Sequence, residues 1–160
     1  MKQMINVFLI GVILFQVISL SSLAQPLSLE DSQKSQLKIA AIKNGLGDPG
    51  EKILNAIVMT SKQTGLSQSF IISLMHSESS FNVKAISRKG YKGLMQIPQN
   101  VFYEDANTLI GANIFKEKLK ITNGDYKKAV ILYKGWELSH PEGRRQADKV
   151  IKLTMKMKEE

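Results

Sequence analysis

Glu78 has the surroundings of a proton-transfer group. At 100° per residue it lies within about 40° of both Ile71 and Leu74, with Phe70 and Met75 flanking, so a carboxylate ends the apolar stripe of a helix. Burial there disfavours the charged form, and the partial negative charge at a helix C-terminus pushes the same way. Both effects are expected to raise the pKa, which is what a general acid needs at neutral pH. Most glutamates at helix ends are instead solvated or paired with a lysine, so the residues downstream decide the reading.

Residues 79–98 read as an irregular loop. Gly90 and Gly93 tolerate positive φ or a close backbone approach, Ser87 supplies a hydroxyl, and Leu94-Met95-Gln96 restarts an apolar run that contains one amide. Farther on, Tyr126, Ala129, Val130 and Tyr133 stand at i, i+3, i+4 and i+7. Tyr133 therefore faces inward, and its hydroxyl needs a buried partner. Trp136 reads as a core plug ahead of a sugar-stacking platform.

These motifs resemble a known family. Glu78-Ser79-Ser80-Phe81, then Ser87, Gly90 and Gly93-Leu94-Met95-Gln96, are similar to the first two motifs of the soluble lytic transglycosylase catalytic domain, a relative of goose-type lysozyme. Asn107-Thr108-Leu109-Ile110-Gly111-Ala112 resembles that family's Asn-Ile-x-x-Gly-Ala helix start, and Gly124-Asp125 its cap before the next helix. Leu132-Tyr133-Lys134 stands where members commonly read Ala-Tyr-Asn. The resemblance spans about Ser67 to Trp136. Departures are Lys134 for the asparagine, Pro98 where a methionine is frequent, Tyr91 where a small residue is usual, and a short Ile97–Glu104 segment that implies a reduced lobe beside the cleft.

The resemblance implies a mainly α, lysozyme-like domain with a short irregular or β-like loop beside the cleft. It also implies an enzyme that cleaves the β-1,4 bond between N-acetylmuramic acid and N-acetylglucosamine. Glu78 would be acid and then base, with a 1,6-anhydromuramoyl end as product, and Ser87, Met95, Gln96 and Tyr133 would contact or orient the sugar. Peptidoglycan strands are the implied substrate, with an envelope-spanning secretion or conjugation apparatus as a conceivable partner; no cofactor is implied. No acid occurs between Glu78 and Glu104, which favours a one-carboxylate scheme over the two-carboxylate pattern of most glycosidases. The substrate's acetamido group would then stabilise the cationic intermediate. Alternatives are a hydrolytic muramidase using the same glutamate, and a non-catalytic wall-binding or secretion-accessory protein on the same fold.

Other chemistries fit less well. Zero cysteines exclude a thiolate zinc site, a cysteine nucleophile, a disulfide scaffold and a lipidated-cysteine anchor. Two histidines without a His-Glu-x-x-His pattern argue against a metal, and no Gly-x-Ser-x-Gly elbow or phosphate-cradling glycine loop is present. His76 reads as packing or surface.

The elements that must position this site read as helices. Leu37, Ala40, Ala41 and Asn44 suggest a short helix ending at Gly45, after a polar, mobile stretch from Gln25 to about Ser35. Asp48-Pro49-Gly50-Glu51 predicts a helix from Pro49 to about Thr64, capped by Asp48 and closed by Gly65. Ser67 caps the helix that carries Glu78. Ser139 to Gly143 reads as a turn, and Ala147, Val150, Ile151, Thr154 and Met155 mark one face of a final helix.

The organisation is then residues 1–24 as a targeting segment, 25–47 as a lead-in and 48–160 as the domain. Lys2 precedes an apolar run, no further charge occurs before Glu30, and Ser22-Leu23-Ala24 offers a cleavage site, the pattern of a secretory signal peptide. Met4 to Leu23 is also about long enough to span a bilayer, so a retained anchor is the alternative, and only then is a membrane a partner. Either form exports the body to the periplasm or cell envelope, or beyond the cell. The net charge of +8 suits anionic wall polymers there, whereas nucleic acid is an unfit partner outside the cytoplasm. Many of the lysines fall on helical segments as an ordinary solvated face.

Overall fold

In a computed structural model describing residues 28–158, the chain folds into six α-helices: α1 Leu29–Lys43, α2 Glu51–Thr64, α3 Gln68–Ser79, α4 Glu104–Ile121, α5 Tyr126–Tyr133 and α6 Pro141–Lys156. The contacts divide the chain into Met1–Asp31 and Ser32–Glu160. The described part of the first unit is a helix start, where the Asp31 amide donates to the Ser28 hydroxyl oxygen at 3.1 Å. The apolar run and cleavage pattern of the targeting segment lie outside the described residues. No described helix is long and apolar enough to cross a membrane.

Helix α3 is the centre of the second unit. Phe70, Ile71, Ile72, Leu74 and Met75 are all buried, so the helix is apolar nearly all round and needs cover on several sides. Helices α2 and α6 pack on it, α4 packs on α2 and α5, and α5 packs on α6. Phe70, Phe115 and Tyr126 join α3, α4 and α5 through ring pairs with centroids 4.5 to 5.6 Å apart. The Ser67 hydroxyl accepts from the Phe70 amide at 3.2 Å, the expected N-cap. Asp125 likewise caps α5 by accepting from the Lys128 amide.

Four expectations are corrected. The lead-in is helical from Leu29 rather than loose to Ser35, and Leu37, Ala40 and Ala41 join the core. Helix α2 starts at Glu51 and its N-cap is Gly50 at φ 80°, a conformation glycine adopts readily. Asp48 is thereby displaced from the cap; it accepts from the Gly50 amide and pairs with Lys38. Gly143 belongs to α6 and not to a turn: a Cβ there would run into Trp136, so its bare backbone is what lets that indole lie against the helix. Met155 is 59% exposed, and Met157, just past the helix end, takes the core position instead.

Between α3 and α4 the chain forms an irregular loop with two isolated antiparallel bridges, Ile86 with Lys92 and Lys92 with Ile97, the only extended pairing among the described residues. This mainly helical architecture with a β-like loop agrees with the expected fold class.

Candidate active site

Helix α3 delivers Glu78 in its last turn, where Ser80 and then Phe81 adopt left-handed conformations at φ 50° and 65°. Both are non-glycine residues in a sparsely populated region, and they turn the chain sharply away so that the end of α3 opens onto a cavity of about 310 Å³. Ser87 and Gln96 from the loop, and Tyr133, Lys134 and Trp136 from the end of α5 and beyond, line this cavity with Glu78. Of the residues lining it, all among those described, Glu78 is the only carboxylate.

The Glu78 side chain is 12% exposed, and its Oε1 accepts from the Lys134 ammonium at 2.7 Å; the lysine side chain is 7% exposed. Burial drives the Glu78 pKa up, while the charge and hydrogen bond of Lys134 pull it down; burial dominates, and the group sits above the ordinary glutamate value of 4.5. The helix-end reading anticipated the direction of the shift. It did not anticipate the lysine.

The loop is held to the cavity by two devices. The Tyr133 hydroxyl donates to the Met95 carbonyl at 2.7 Å, which supplies the buried partner the inward tyrosine requires. Burial, with the nearby Glu78 charge, pushes the Tyr133 pKa well above 10, so the phenol keeps its proton and stays a donor. The second device is Asn107, fully buried in the first turns of α4. Its Oδ1 accepts from the Met95 amide at 2.8 Å, and its Nδ2 donates to the carbonyls of Lys92 at 3.0 Å and Val101 at 2.7 Å. Two glycines make room: a Cβ on Gly93 would collide with the Asn107 side chain, and one on Gly111 with the Met95 side chain.

The structure brings Glu78, Ser87, Gln96 and Tyr133 around one cavity. Met95 differs: its side chain is 1% exposed in the core, so its contribution is the backbone carbonyl held by Tyr133. The Ser87 hydroxyl oxygen accepts from the Tyr91 amide and shapes the loop tip. Gln96, at φ 50°, donates its amide NH2 to the carbonyls of Gly93 at 2.9 Å and Ala85 at 3.3 Å, which leaves its oxygen for a ligand hydroxyl. Trp136 is partly buried against the core, stacks on His140 with centroids 4.1 Å apart, and also lines the cavity. His76 lies in a different groove with its ring against Phe81, apart from Glu78. Asn107 and Lys134 are the residues whose roles sequence reasoning missed. Asn107 stood in a quoted motif as a helix start, yet α4 begins at Glu104.

A helical domain with one buried carboxylate at a helix end, an irregular loop across from it and a tyrosine behind it defines a lysozyme-like class of protein. The chain belongs to the transglycosylase SLT domain family, whose sequence model matches residues 55–151 and so includes each residue of the cavity discussed above. Membrane-bound lytic murein transglycosylase C of Sodalis glossinidius (strain morsitans) is 34% identical over 84 residues, covering 52% of this chain and 21% of that protein. The solved lytic transglycosylase Slt from Pseudomonas aeruginosa, determined by X-ray as an inactive mutant, shares the fold with a TM-score of 0.57 at 19% identity, over 66% of this chain and 24% of that one. The chain thus spans less than a quarter of the length of either relative.

Proposed function

We infer that the chain is an exported peptidoglycan lytic transglycosylase in which Glu78 serves as acid and then as base. In the first step the protonated carboxyl gives its proton to the oxygen between N-acetylmuramic acid and N-acetylglucosamine as the C1–O bond breaks. The acetamido oxygen of the muramoyl residue bonds to C1, and the positive charge is shared between that oxygen and the acetamido nitrogen. In the second step the Glu78 carboxylate takes the proton of the muramoyl C6 hydroxyl, whose oxygen bonds to C1 and displaces the acetamido group. The product is a 1,6-anhydro ring, and Glu78 is protonated again.

The observation that carries this reading is the solitary buried carboxylate, since a cavity with one acid suits a scheme in which the substrate supplies the second nucleophile. Membership of the transglycosylase SLT family and similarity to a murein transglycosylase support the substrate class. The Gln96 oxygen and the Ser87 hydroxyl would meet sugar hydroxyls, a role supported by their both lining the cavity and by the bond from Tyr133 to the Met95 carbonyl that holds the loop. An envelope location is supported by the N-terminal apolar pattern, by the membrane-bound relative and by the net charge of +8.

Release of dye from labelled peptidoglycan sacculi tests the assignment. Loss of a positioned proton-transfer group costs about 10²–10⁴-fold, so Glu78→Gln is expected to fall by that factor. Release at the wild-type rate by a folded Glu78→Gln variant would overturn it.

A further inference from the structure

We propose that Lys134 is a substrate-responsive positioning residue: it holds Glu78 as a paired carboxylate until a carboxylate borne by the incoming glycan takes over its ammonium. This rests on the transglycosylase reading above. A general acid must carry a proton, yet Glu78 is seen in a 2.7 Å contact with an ammonium, the arrangement of the base form. Loosening this pair removes the opposition to burial and favours the acid form that the first step uses.

The site is built for such an exchange. Lys134 sits at the C-cap of α5 and is followed by Gly135 at φ 74°, so it stands at a helix end and not within the helix. Its ammonium has three donors; Glu78 takes one and the Ser77 carbonyl, at 3.4 Å, is a weak second, which leaves a direction for an incoming anion. Lys134 is among the residues that line the cavity the glycan would occupy. The groups facing Glu78 favour an anion: Arg88, Lys89 and Tyr91 come from the loop, Tyr133 and Lys134 from the end of α5, and the neutral Gln146 from α6, while His76 on α3 itself faces another groove.

When the ammonium turns to a substrate carboxylate, the burial of Glu78 acts with less opposition, and the group takes up a proton from solvent at its Oε1. An O–H bond of a hydronium ion breaks as the one at Glu78 forms, leaving water, and no other bond changes. The arrangement makes acid competence depend on a carboxylate in the substrate. That carboxylate comes from the stem peptide in peptide-bearing strands, or from the free lactyl group in strands stripped of peptide.

The test follows the side-chain carboxyl of Glu78 by 13C NMR as pH is varied. Wild type, Lys134→Met and Lys134→Arg are compared, each alone and with three probes: a disaccharide-peptide unit, the same disaccharide without peptide, and chitobiose, which has no carboxylate. None of the three contains the scissile bond. The expected result is a lower midpoint in wild type and Lys134→Arg than in Lys134→Met, moved up towards the Lys134→Met value by carboxylate-bearing probes and not by chitobiose. A response to the peptide-bearing unit alone would place the anion on the stem, a response to the stripped disaccharide alone would place it on the free lactyl group, and a response to both would mean that either carboxylate serves. Equal midpoints in wild type and Lys134→Met, or an equal shift with chitobiose, would overturn the proposal even if wild type digests sacculi. Failure of wild type to digest sacculi, together with no response to any probe, would overturn the transglycosylase reading and the trigger with it.

Discussion

The Tyr133 hydroxyl reaches across from α5 to the carbonyl of Met95 at 2.7 Å, tying the Leu132-Tyr133-Lys134 segment to the loop that presents Gln96. The bond joins residues 38 positions apart and is closed over by Gly111, whose missing Cβ leaves space for both partners. Tyr133→Phe removes the donor and leaves a desolvated carbonyl. The expected loss is about 1–3 kcal/mol, read as a lower urea midpoint at unchanged slope, with slower sacculus digestion as the loop loosens.

Gly111→Ala tests the same contact from the other side. Alanine in a helix interior is worth up to about 1 kcal/mol over glycine, so on propensity alone the change would stabilise. The new Cβ would overlap the inner atoms of Met95, which cannot swing aside as a flexible tip would, and overpacking costs about 1–3 kcal/mol. Net destabilisation is expected in denaturant titration, with activity falling alongside.

Asn107 makes three hydrogen bonds to the loop at once. Asn107→Ala is expected to cost about 2–4 kcal/mol in denaturant titration. Asn107→Asp keeps the acceptor for the Met95 amide but turns both donors into an oxygen facing the carbonyls of Lys92 and Val101. It is expected to be at least as damaging at neutral pH and to recover in part at acidic pH, where the carboxyl is protonated.

Glu78 gives stability a defined pH dependence. Its pKa in the folded chain lies above the ordinary 4.5, so between that value and the raised one the native state binds more protons than the unfolded state. The contribution is therefore present below 4.5 and is lost as pH rises through the native pKa. The stability of wild type minus that of Glu78→Gln is expected to decline as pH rises across that window, measured by urea titration at each pH. A flat difference would contradict the assigned burial.

What could be read from the sequence was what local periodicity controls. Glu78 at the end of an apolar stripe, Ser67 as a cap and Tyr133 facing inward each follow from spacing within one helix, and each is found in the structure. The pairing of Glu78 with Lys134 joins positions 56 apart, and a lysine at a helix end reads as solvated until the fold closes over it. Asn107 was hidden for a similar reason, because its partners are backbone groups of a loop with no periodicity. At Gly50 and Gly143 the glycine serves a conformation or a close approach set by other parts of the chain, so helix-end rules applied locally misplaced both boundaries. Met155 failed because the helix ends at Lys156 and Met157 fills the core beyond it.

The central claim, that Glu78 alone carries both proton transfers and a substrate hydroxyl closes the ring, is met most directly by mass spectrometry of the muropeptides released from purified peptidoglycan. The account requires wild-type products lighter by one water than hydrolysis products, and none from Glu78→Gln. Hydrated products would contradict it by showing that water is the acceptor, as in a muramidase, and no product from folded wild type would point to a wall-binding role without catalysis.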